Sequence, residues 1–157
     1  MISRNDITLE KDSDVSLNDN VSRELALFYP TESLHDQVAG QISLYQCTAM
    51  VTVSSVQGRA IRKAATSAVL SIIDVTEQVS QAMSALDELA GILDPGQLAV
   101  YTERMHEGLE RFVRVRGILL LLGPVEAAQW QALFRQAGFE LQEQESRPAL
   151  GPAGTLD

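Results

Sequence analysis

An all-α fold, an antiparallel up-down helical bundle, is what this sequence predicts, and three observations predict it. Apolar or small residues recur between 59 and 93 at alternating steps of four and three: Ile61, Ala65, Ala68, Ile72, Val75, Val79, Ala82, Leu86, Leu89 and Leu93. At 100° per residue such a series stays on one face of a helix, which would run about 50 Å. Alanine and leucine are abundant and aromatics make up only 5% of the chain, a composition that favours helices. Helix-start signals recur as well, at Ser33 with Asp36, at Asp94-Pro95 with Gln97, and at Gly123-Pro124.

Taken in order, residues 1-15 are polar and read as a disordered leader, 16-145 as one helical-bundle domain, and 146-157 as a disordered tail. Ser16 and Asp19 have capping-box spacing before a short stripe of Leu17, Val21, Leu25 and Phe28, which predicts a short N-terminal helix ended by Tyr29-Pro30. Four main helices follow, over 31-53, 59-91, 95-122 and 124-138. The first places Leu34, Val38, Ile42, Tyr45 and Ala49 on one face, and Gly40, Leu44, Cys47 and Val51 nearly opposite. No charge occurs between Gln37 and Gly58. A short strand across 49-56 is the alternative, because Val51-Thr52-Val53 weakens a helix there.

The 59-91 helix is the organising element, with neutral flanks that suit contact with several neighbours. Gly91 is expected as its left-handed C-terminal residue. Asp94, Pro95 and Gln97 then start the third helix, with Leu93 and Leu98 as a hydrophobic staple. Its apolar face (Leu98, Tyr101, Met105, Leu109, Phe112, Leu119) contains Arg116, a candidate for a buried ion pair. Pro124 is expected at N1 and Glu126 at N3 of the last helix, with Gly138 stopping it and Phe139 folding back onto Phe134. Residues 140-144 are expected to be extended.

Charge and composition narrow the function classes. Formal net charge is −9 and the pI about 4.6, against the basic surface that nucleic-acid binding needs. The single cysteine, Cys47, excludes an intramolecular disulfide and any multi-cysteine metal site. No apolar run reaches the length of a membrane span or a signal-peptide core, so a cytoplasmic, bacterial-type protein is expected.

Catalytic, cofactor-binding and metal-ligating residues are all read as none. His35 and His106 stand in no metal-ligand spacing and are read as surface or capping residues. Neither is followed by the lysine that accompanies a phosphoryl-accepting histidine. The sequence lacks a Gly-rich phosphate loop, a nucleophile elbow and a dinucleotide fingerprint. Asp74 and the pair Asp87-Glu88 are read as solvated charges.

The expectation is therefore a non-enzymatic protein acting by protein-protein binding: an adaptor, an inhibitor, an immunity-type protein or a secretion-type chaperone. A secreted effector or secretion-apparatus component is the alternative, and an enzyme with residues assembled across helices the remaining one. The two-sided apolar character of 31-53 predicts a homodimer through Gly40, Leu44, Cys47 and Val51, with Cys47 near its mate.

Overall fold

The computed structural model describes residues 23-54 and 57-142. Five strands alternate with five helices: β1 (Glu24–Phe28), α1 (Glu32–Ile42), β2 (Ala49–Val53), α2 (Gly58–Ser67), β3 (Ala68–Asp74), α3 (Val79–Ala90), β4 (Leu98–Thr102), α4 (Glu107–Arg116), β5 (Leu119–Leu122) and α5 (Ala127–Ala137). All strands are parallel, in the order β2-β1-β3-β4-β5. This is a doubly wound α/β fold, and it overturns the all-α bundle.

The long 59-91 helix is replaced by α2, β3 and α3. Ile61 and Ala65 of α2 and Ala82, Leu86 and Leu89 of α3 do face one core, together with Ala68 and Val75. Ile72 faces the other core, beyond the sheet. β3 pairs on both sides and is covered on both faces, so almost every residue in it is apolar. A continuous apolar run satisfies a helical period as readily as a strand period, which is how the two helices and the strand merged into one stripe.

The same ambiguity affected the other strands. β1 contains no β-branched residue and β5 is four leucines, so strand propensity is silent in both. The 95-122 helix divides into a single 3₁₀ turn over Pro95–Gln97, then β4, α4 and β5. The 31-53 helix stops at Ile42, and residues 49-53 form the strand held open as the alternative. The short N-terminal helix fails over Leu25–Phe28, which lie in β1; its capping pair, Ser16 and Asp19, lies outside the described residues, as do the leader and the tail.

Two cores result. One, under α2, α3 and α4, is built mainly from aliphatic and small side chains. The other, under α1 and α5, holds Tyr45, Tyr101, Trp130, Phe134 and Phe139. Rings pack there edge-on or stacked, with Trp130 and Phe134 centroids 5.9 Å apart and Tyr45 and Phe134 at 5.5 Å.

Helix ends account for the local signals that the sequence did carry. Gly138 adopts φ 106°, Phe139 N donates to Phe134 O at 2.9 Å, and the two rings meet at 5.9 Å. Residues 140-142 continue extended, with Leu141 bridging Tyr45. Gly117, read inside a helix, instead ends α4 with φ 71°. Gly91 ends α3 at φ −84°, without the left-handed turn expected of it. Glu126 is the N-cap of α5, its N–H donating to Gln129 Oε1 at 3.1 Å, so it does not occupy N3. Pro124 follows a cis peptide bond and precedes that cap.

Candidate functional site

In an open parallel sheet, ligands bind outside the carboxyl ends of the strands, where the strand order reverses. Here that place lies between β1 and β3: the chain leaving β1 enters α1 on one face, and the chain leaving β3 enters α3 on the other. Tyr29, the first residue after β1, is buried and held at φ 56°. An aromatic residue rarely adopts that region, so the surrounding contacts must hold it there. Its N–H donates to Val53 O at 2.9 Å. Burial, and secondarily the charge of Glu88, push its hydroxyl pKa up.

Asp74 ends β3 and is fully buried. Its Oδ2 accepts from Thr31 N at 2.8 Å and Thr31 Oγ1 at 2.9 Å, and its Oδ1 accepts from Thr76 N at 2.9 Å. Thr31 in turn caps α1, its hydroxyl accepting from Leu34 N at 3.2 Å. The carboxylate thus ties the start of α1 to the loop after β3. Asp74 is no solvated charge on a helix face, as the helical reading had it.

The neighbouring loops are tied in the same way. Thr76 Oγ1 accepts from Glu103 N at 3.1 Å, and Thr102 Oγ1 donates to Arg104 O at 2.7 Å. Tyr101 donates to Glu103 Oε2 at 2.7 Å and accepts from Gln37 Nε2 at 3.0 Å. Gln37 Oε1 accepts from Val125 N at 3.2 Å, which links α1 to the loop after β5. Tyr101 also packs so closely on Gly123 that a Cβ there would lie 2.7 Å from the ring Cζ, so any side chain at this position must displace the ring.

Two hollows flank this edge. A cavity of about 200 Å³ lies between α2 and α3, lined by Tyr29, Ser80, Gln81, Ser84 and Glu88 among others. Glu88 is engaged there by Arg62. This volume is below the roughly 300–1,000 Å³ of small-molecule sites. A more open groove of about 520 Å³ runs along β2 and α2, past Val51, Val53, Ala64 and Lys63. Among the described residues, no group of three or more His, Cys, Asp or Glu is placed to hold a metal ion. No helix among them is long and apolar enough to cross a membrane.

The residues singled out from sequence do not share one helix face. Gly40 is exposed on α1, Leu44 is exposed in the turn after it, and Val51 is exposed on the edge strand β2. Cys47 lies in the connecting loop, half-buried, its Sγ donating to Ala49 O at 3.2 Å, and burial raises its thiol pKa. Arg116 is not buried among apolar side chains. It is exposed at the end of α4, with its guanidinium 3.6 Å from the Phe112 ring centroid and its Nη1 donating to Phe112 O. Its place on an apolar stripe came from extending one helix through β4 and β5. His35 stands 3.7 Å from Asp36, and His106 is the N-cap of α4 with its Nε2 buried and without a hydrogen-bond partner in the structure.

Sequence reasoning missed Asp74. Its signal was an acidic residue standing inside a β-branched apolar run, Ile72-Ile73-Asp74-Val75.

No known protein family and no curated protein sequence matches the chain. Solved structures do share the fold. One is a CpaE2 protein of Sinorhizobium meliloti assigned to pilus assembly: 16% identity, 73% of this chain and 98% of that one, TM-score 0.51. Another, from Burkholderia thailandensis and also assigned to pilus assembly, gives 12% identity, 74% and 97% coverage, and a TM-score of 0.54. A protein of Burkholderia pseudomallei assigned a pilus-assembly-related role gives 14% identity, 78% and 95% coverage, and a TM-score of 0.53. At these identities the likeness establishes the architecture.

Proposed function

We propose that this chain is a non-enzymatic module that acts by binding other proteins within a pilus-assembly or secretion machine. The observation that carries the reading is the closed carboxyl edge of the sheet. An enzyme of this architecture keeps polar groups free at the strand ends for its substrate. Here both oxygens of the buried Asp74 carboxylate accept from Thr31 and Thr76, and Glu103 is engaged by Tyr101. Those side chains hold loops together, which is a structural task. The fold shared with proteins assigned to pilus assembly supports the choice of machine.

Two measurements test this. Deleting the coding sequence in its native host should reduce surface fibres seen by electron microscopy, or the secreted protein pool. An unchanged surface and secretome would remove the assembly role. Incubating the chain with a small acyl phosphate and magnesium should leave its intact mass unchanged, because Asp74 is fully buried and both its oxygens already accept hydrogen bonds. A phosphoryl adduct on Asp74 would sink the non-enzymatic reading.

A further inference from the structure

β5 is one of the two edge strands of the sheet. It pairs with β4 on one side and is last in the strand order, so among the described residues its outer side has no backbone hydrogen-bonding partner. Natural edge strands are commonly guarded by charge, proline or a bulge. β5 is four leucines, with Leu119 43% and Leu122 51% exposed, and Val115 at the end of α4 is 72% exposed. Leu119 and Leu122 stand an odd number of residues apart, so they lie on opposite faces of the sheet. A strand laid against β5 would cover apolar surface on both faces.

The occupant is indicated by the charges of α4, which packs on β5. Glu107 and Glu110 sit in its first turn, and Arg114 and Arg116 in its last. That order complements the helix's own dipole, and Glu110 also reaches Arg114 within the helix at 3.3 Å. It has a further effect under twofold symmetry. An axis perpendicular to the sheet makes two copies of β5 antiparallel and keeps both α4 helices on one face, antiparallel and side by side. The acidic first turn of each α4 then faces the basic last turn of the other. Stacking on Phe112 holds the planar Arg116 guanidinium ready for a carboxylate.

We propose that β5 pairs with the β5 of a second copy of this chain, joining the two five-stranded sheets into one. An unrelated partner would have to bring the matching charges from elsewhere, whereas a second copy carries them in its own α4. This surface lies at the opposite edge from Val51 of β2, through which the sequence predicted self-association. The inference goes beyond the assembly role and holds whichever machine the protein serves.

Sedimentation of the full chain across the micromolar range tests it. The parent should be a dimer. Leu122→Lys should raise the dimer dissociation constant at least about tenfold while leaving circular dichroism at 25 °C unchanged and removing the dependence of melting on protein concentration. Two further variants separate pairing from folding. Arg114→Glu with Arg116→Glu, and Glu107→Arg with Glu110→Arg, should each be monomeric alone and should dimerise when mixed. A parent that stays monomeric at high micromolar concentration overturns the proposal. So does a dimer indifferent to Leu122→Lys but dissolved by Val51→Lys, or a pair of charge variants that fails to combine.

Discussion

The carboxyl edge of the sheet and the α4–β5 flank solve opposite problems. At the carboxyl edge, polar side chains spend their hydrogen bonds on one another: Asp74 on Thr31 and Thr76, Tyr101 on Glu103 and Gln37, Gln37 on Val125. At the flank, apolar side chains and a strand's backbone face outward. Polarity alone would have assigned function to the first region. Matched donors and acceptors hold the loops of the first region together, whereas the second leaves apolar surface for a partner to cover.

Variants that open the closed region should have the largest effects. Asp74→Ala removes the acceptor of three hydrogen bonds within a buried site, and should cost about 3–5 kcal/mol in urea unfolding. A loss under about 1 kcal/mol would mean that water replaces the carboxylate and that the edge is open. Gly123→Ala comes next. Its methyl would collide with the Tyr101 ring, which must shift against Trp130, at a cost of about 2 kcal/mol.

Tyr101→Phe keeps the ring and removes only the bridging hydroxyl, so about 1 kcal/mol is expected in the same assay. This hydroxyl also makes a pH-dependent contribution. Burial first, and the bond to Glu103 second, hold its pKa above the ordinary 10.0. A raised folded-state value favours the neutral form on folding. That stabilisation is therefore complete below the unfolded value and is lost as pH rises through the folded one. Melting temperatures above pH 10 should fall more steeply for the parent than for Tyr101→Phe.

Smallest of all is Arg116→Ala on the open flank. It removes one exposed cation–aromatic contact and should cost under about 1 kcal/mol in monomer stability. A loss several times larger would place the guanidinium in a buried pair and undo the contrast between the two regions.

How much of this was legible depended on which physical signal each segment carries. Helix caps are local, and α5 was read nearly to its last residue because Gly138 and Phe139 act within one turn. The faces of α2 and α3 were legible too, since Ile61, Ala65, Leu86 and Leu89 do point at one core. Strands buried on both faces have no period to detect. β3 therefore vanished into a helical stripe, and leucine-rich β5 gave no propensity signal against helix. The edge strand β2, with Val51-Thr52-Val53, was the one strand read as an alternative to helix, although β3 and β4 also carry β-branched residues. The partners within the carboxyl-edge network were not readable, because Asp74 and Thr31, or Gln37 and Tyr101, meet only once the sheet has formed.

The strand order has a consequence for how the chain comes to be folded during synthesis. β1 emerges before β3 yet must end between β2 and β3, with Leu25 beside Leu70 and Met50. Until α2 and β3 have left the ribosome, β1 can pair only with β2, and two strands alone bury too little to persist. Leu25, Leu27 and Phe28, fully covered in the finished fold, are then exposed together on a nascent chain. Nascent chains stalled after α1 should therefore be captured by a chaperone that binds apolar segments, and chains stalled after β4 should escape it. Equal capture at both lengths would show that β1 finds shelter before its central neighbour arrives.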